Sequence, residues 1–118
     1  MKVGLVGYGK MGQIREKIIN ESKNFDLVAI LEKNNKVFKC DKKYHLCKNY
    51  DELLRMDIDA VFLCTYVKYF AEYTIKALKS NKHVFCEKPP TMTLSEMKDV
   101  IKEEKKSGKI LKYGFNHR

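Results

Sequence analysis

Lys2-Val3-Gly4-Leu5-Val6-Gly7-Tyr8-Gly9-Lys10-Met11-Gly12 (KVGLVGYGKMG, residues 2–12) is the stretch on which the fold turns. Its first five residues form an apolar run of strand length. The remainder is a G-x-G-x-x-G cluster. Such a cluster occurs by chance in many chains, and as a flexible turn it would carry no chemistry. Here it follows a strand and opens a helix, the context in which it acts as a dinucleotide-binding turn. Gly7 permits the tight turn, Gly9 admits a pyrophosphate close to the backbone, and Gly12 lets the helix pack on the strand. The helix N-terminus then offers free N–H groups and partial positive charge to phosphate. Tyr8, Lys10 and Met11, interleaved with the glycines, belong to the same candidate cofactor-binding set.

Reading outward, Met11, Ile14 and Ile18 recur at helical spacing between polar residues. Phe25 to Leu31 is a second apolar strand, and it ends at Glu32. An acid about 20 residues beyond the glycines can accept hydrogen bonds from the adenosine ribose. Its charge repels a 2′-phosphate and favours NAD, while the neighbouring Lys33 would tolerate that phosphate and leaves NADP open. Residues 33 to 49 are polar and lysine-rich, with a short strand near Tyr44 to Cys47. Asn49 and Glu52 have the spacing of a capping box. Ala60 to Cys64 is the next buried strand. Phe70, Tyr73, Thr74, Ala77 and Leu78 mark the inner face of a helix that closes near Ser80-Asn81.

Val84 to Cys86 is a further strand, and Thr93 to Glu96 caps a helix carrying Leu94, Met97, Val100 and Ile101. Gly108 stands where a helix ends, and Ile110 to Phe115 is a last strand. This alternation predicts an α/β fold of the Rossmann type: three layers, doubly wound, with a mainly parallel sheet and helices on both faces. The 118 residues are expected to form one domain.

Composition narrows the function. A hydrophobic content of 44% is that of a folded chain, and no apolar run approaches the length needed to span a bilayer. The start of the chain has no signal-peptide pattern, so a cytoplasmic protein with no membrane partner is expected. Cys40 and Cys47 are separated by six residues, which matches no common zinc spacing, and Cys64 and Cys86 sit in apolar runs; no metal is expected. The net charge of +9 raises the possibility of nucleic-acid binding. Its positive residues are nearly all lysine and are spread along the chain, which reads as a solvated surface, and no nucleic-acid partner is expected.

Glu87-Lys88-Pro89-Pro90 lies at the carboxyl end of its strand, where ligands bind in open parallel sheets. Pro89 fixes its own φ and excludes the helical region for Lys88, so the prolines aim the lysine. A lysine so held can donate to a substrate oxygen or move its proton.

The glycine turn, KHVFCEKPP (residues 82–90) and the terminal YGFNHR (113–118) resemble the cofactor domain of the Gfo/Idh/MocA oxidoreductases, over essentially the whole chain. The resemblance implies that Gly7, Gly9 and Gly12 line the pyrophosphate and Glu32 the adenosine ribose. Thr65, with Cys64 before it, falls beside the nicotinamide half; Glu87 would contact the nicotinamide ribose, Lys88 would be the active-site lysine, and Asn116 would border the cleft. It further implies hydride transfer, with NAD as cofactor, to or from a secondary alcohol of a sugar, cyclitol or nucleotide sugar. A second α/β domain, absent from these 118 residues, would bind that substrate, supply the remaining catalytic groups and mediate oligomerisation. The chain departs from the family where a Thr-Pro-Asn-x-x-His stretch is usual: it reads Thr65-Tyr66-Val67-Lys68-Tyr69-Phe70. By itself it would bind dinucleotide without turnover; the alternative is a stand-alone, non-catalytic NAD(H)-binding module.

Overall fold

The computed structural model describes residues 1–33, 43–87 and 92–114. Six parallel strands form one sheet in the order β3-β2-β1-β4-β5-β6. They are β1 (Lys2–Val6), β2 (Asp26–Leu31), β3 (His45–Cys47), β4 (Ala60–Leu63), β5 (His83–Glu87) and β6 (Leu111–Gly114). The helices are α1 (Lys10–Glu21), α2 (Tyr50–Arg55), α3 (Phe70–Lys79), preceded by a 3₁₀ turn at Val67–Tyr69, and α4 (Leu94–Ser107). The expected doubly wound parallel architecture is therefore present. The winding direction reverses between the adjacent strands β1 and β4, and a crevice opens at their carboxyl ends.

Alternation of side chains along the strands supplies two apolar layers. On one face, Val6, Ala29, Val61, Leu63 and Val84 meet Leu53 of α2 and Phe70, Ala77 and Leu78 of α3. On the other, Val3, Leu5, Leu27 and Ile30 meet Ile19 of α1 together with Tyr8 and Tyr44. Helix α4 packs on α3.

Local signals fix the helix ends. Thr93 and Glu96 form the expected capping box, and Gly108 closes α4 with φ +71°. Asn81, after α3, takes the left-handed conformation at φ 63°. At α2, Asn49 accepts from the Glu52 N–H at 2.8 Å, but the Glu52 carboxylate reaches the N–H of Lys48 rather than that of Asn49. The box is thus displaced by one residue on one side.

Two faces differ from the sequence expectation. Ile14 and Ile18 of α1 are 43% and 49% exposed, and the inward residues are Gly12, Arg15 and Ile19. Gly12 lies against the backbone of Gly7, and that contact sets the rotation of the helix about its axis. In α4, Leu94 and Ile101 are exposed and Val100 alone is buried. Strand β5 also extends one residue further than read, so that Glu87 ends the strand instead of following it.

Candidate functional site

The carboxyl ends of β1, β2, β4 and β5 bring Gly7, Glu32, Cys64-Thr65 and Glu87 to one edge of the sheet. Gly7 has φ +93°, and a Cβ there would stand 2.5 Å from the Cys64 carbonyl oxygen. A Cβ on Gly12 would stand 2.1 Å from the Gly7 carbonyl oxygen. Both positions need glycine for reasons internal to the protein. At Gly9 a Cβ would meet nothing within 4 Å among the described residues. The space above Gly9 is open, and beside it the first turn of α1 has neither a side-chain cap nor an acidic residue. Its amides are oriented to receive an anion.

The turn is tied down on both sides. The Gly7 N–H donates to the Leu31 carbonyl and the Cys64 N–H to the Val6 carbonyl, each at 2.8 Å. The Tyr8 N–H donates to Glu32 Oε1 at 2.5 Å, which fixes the acid beside the glycine turn. The Tyr8 ring points away from the crevice into the α1 layer, where its hydroxyl donates to Glu16 at 2.5 Å. Lys10 is exposed and Met11 half-buried at the start of α1. A cleft of about 40 Å³ is lined by Gly7, Glu32, Lys33, Thr65, Tyr66 and Tyr73, among others.

The stretch Thr65 to Phe70, where the chain departs from the expected Thr-Pro-Asn-x-x-His pattern, adjoins a cluster of aromatic rings. Phe70 is buried in the core. Tyr69 stacks on Tyr73 with ring centroids 5.4 Å apart, and Tyr73 stacks on Tyr50 at 4.0 Å. The Lys33 ammonium sits 4.3 Å from the centre of the Tyr69 ring, drawn to its π face. Tyr66 is 74% exposed at the mouth of the cleft.

At the β5 end, Glu87 is nearly buried, and Arg15 of α1 grips its carboxylate. Cys64 Sγ lies 4.0 Å from Glu87 Oε2. Burial and the Glu87 charge push the Cys64 thiol well above its ordinary range. Burial likewise pushes the Cys86 thiol up to about 12. Both remain protonated near neutral pH and are poor nucleophiles. Lys88, Pro89, Pro90 and Asn116 lie outside the described residues, as does Cys40.

His45, Cys47 and Glu52 also come together away from this edge. His45 Nε2 lies 2.6 Å from Glu52 Oε2, and burial raises the Cys47 thiol to about 11. That contact steadies the Glu52 carboxylate, whose other oxygen accepts from the Lys48 N–H at the start of α2.

Residues 1–115 match the Gfo/Idh/MocA family, an oxidoreductase family with an NAD-binding Rossmann fold. The chain belongs to this family. The myo-inositol 2-dehydrogenase of Thermotoga maritima is 31% identical, aligned over 100% of this chain and 37% of its own length. The D-glucoside 3-dehydrogenase of Escherichia coli is 28% identical over 100% of this chain and 35% of its own. A probable dehydrogenase from Thermotoga maritima superposes with a TM-score of 0.87 at 26% identity, over 97% of this chain and 36% of that one. The chain thus spans little more than a third of the relatives it matches.

Arg15 was not identified from the sequence. Counting turns from Gly12 would have found it, since Gly12, Arg15 and Ile19 share the face that the glycine presses onto the sheet.

Proposed function

We propose that the chain holds NAD(H) across its β1/β4 crevice, as the cofactor half of a dehydrogenase acting on a secondary alcohol of a polyol or sugar. The observation that carries this reading is the open space at Gly9, set between two glycines closed by the protein itself. A cradle that a Cβ would fill, beside uncapped helix amides, suits a pyrophosphate. Gly7, Gly9 and Gly12, with the backbones of Lys10 and Met11, bind that group, and Tyr8 completes the turn while its N–H holds Glu32. Glu32, already fixed by the Tyr8 N–H, accepts from the adenosine ribose hydroxyls and repels a 2′-phosphate. Lys33 lies over the Tyr69 ring, which supports NAD over NADP.

Cys64 and Thr65 at the end of β4 and Glu87 at the end of β5 border the nicotinamide half; Asn116, outside the described residues, is assigned to the same half by the family resemblance alone. The dinucleotide, when bound, supplies the hydride acceptor. Lys88, next in the chain after Glu87, holds and polarises the reacting hydroxyl oxygen. Substrate contacts and the main proton-transfer partner belong to a second domain, in keeping with the length of the relatives. The polyol or sugar substrate class is supported by the inositol and glucoside dehydrogenases among them. No helix among the described residues is long and apolar enough to cross a membrane, and the free thiols of Cys47, Cys64 and Cys86 support a cytoplasmic location.

Calorimetric titration with NADH and NADPH tests the reading. NADH is expected to bind, more tightly than NADPH, and no polyol is expected to be oxidised by these 118 residues alone. Absence of binding to either dinucleotide would overturn it.

A further inference from the structure

Arg15 and Glu87 are 72 residues apart and meet beside the end of β5. Arg15 Nε donates to Glu87 Oε2 and Nη2 donates to Oε1 at 3.3 Å, so both carboxylate oxygens are engaged by one guanidinium. The two side chains are 18% and 10% exposed. The guanidinium carbon also lies 4.7 Å from the centre of the Phe85 ring, which itself stacks on Phe62 at 4.9 Å. The neighbouring strand makes room for the pair: a Cβ on Gly114 would stand 2.9 Å from Arg15 Nη2 and 3.0 Å from Glu87 Oε1.

A pair this sheltered is a poor source of stability, because the cost of desolvating two charges offsets most of their attraction. Its geometry serves another end. The planar fork of arginine fixes the orientation of a carboxylate as a point charge does not. Oε2 is also reached by the Cys64 thiol, whereas Oε1, held among the described residues only at its longer contact with Nη2, has a further lone pair with which to accept from a ligand hydroxyl.

We infer that Arg15 is a positioning residue, with Gly114 as its clearance: it locks the Glu87 carboxylate toward the nicotinamide half of the bound dinucleotide. Glu87 directly precedes Lys88, so the same strut ties the pyrophosphate-binding helix to the strand end that carries the lysine. This rests on the cofactor reading above.

The test compares NADH with ADP, which lacks the nicotinamide ribose. Arg15→Met is expected to weaken NADH binding about tenfold, the loss of a hydrogen-bonded charged contact, while ADP binding stays within about twofold. Arg15→Lys recovers part of the loss, and Gly114→Ala acts in the same direction as Arg15→Met. In a Glu87→Gln background, Arg15→Met has no further effect. A merely structural role for Arg15 would lower ADP and NADH binding alike, and that result overturns the inference. So does an Arg15→Met effect that persists undiminished beside Glu87→Gln. Wild-type chain that binds NADH no better than ADP removes Glu87 from the nicotinamide half and the inference with it. Wild-type chain that binds neither overturns the cofactor reading itself.

Discussion

The first turn has a floor and a rim, and glycine is used differently in each. On the floor, Gly7 and Gly12 touch backbone: added methyl groups would stand 2.5 Å from the Cys64 oxygen and 2.1 Å from the Gly7 oxygen. On the rim, a methyl group added at Gly9 would meet nothing within 4 Å among the described residues. Gly9 also has an ordinary extended backbone, with φ −78° and ψ −156°, that any residue adopts. The floor glycines are required to build the crevice. No contact among the described residues requires the rim glycine; on the proposed reading it is the pyrophosphate that does.

The sharpest way to break this contrast is to add one methyl group to the floor. Gly12→Ala must push α1 off β1 and is expected to cost about 3 kcal/mol in urea unfolding. A cost near zero would mean that the helix is free to shift and that the closeness of Gly7 and Gly12 decides nothing.

The rim predicts the opposite separation of stability from binding. Gly9 is the N-cap of α1, and an aspartate there caps the helix and suits its dipole. Gly9→Asp is therefore expected to unfold no more easily than wild type. The same carboxylate occupies and repels the pyrophosphate position, so NADH affinity should fall about a hundredfold by titration. Loss of stability together with affinity would erase the distinction between floor and rim.

The smallest effect concerns the thiols packed around the floor. Burial, helped at Cys64 by the Glu87 charge, raises the Cys64 thiol, and burial raises Cys86 to about 12, from an ordinary value of 9.0. A group whose folded pKa is raised contributes stability that is complete below the unfolded value and is lost as pH rises through the folded one. The melting temperature should therefore decline above about pH 9, with Cys86→Ala flattening the decline. A melting temperature indifferent to alkaline pH would show that these thiols are wetter than their packing implies.

The sequence made most of the frame legible. Strands β1, β2, β4 and β5 are short apolar runs rich in Val, Ile and Leu, and burial on both faces of a parallel sheet demands that pattern. The caps at Thr93, Gly108 and Asn81 could be read because each satisfies a local backbone need. The face of α1 could not be read in the same way. Met11, Ile14 and Ile18 form a helical stripe as regular as any, yet the inner stripe is Gly12, Arg15 and Ile19. Hydrophobic periodicity assumes that the apolar stripe sets the rotation, whereas here the backbone contact of Gly12 sets it.

The same difference runs through the site. Gly7, Gly9, Gly12 and Glu32 are joined by adjacency and by one strand–helix–strand unit, so the order of residues alone could place them together. Glu87 joins them only because β5 enters the sheet beside β4, and its partner Arg15 comes from a helix 72 residues earlier. Local chemistry determined the elements, their order and the glycine turn. The pairing of Arg15 with Glu87, the clearance at Gly114 and the open rim at Gly9 were decided by the tertiary structure, because each depends on how closely separate elements approach one another.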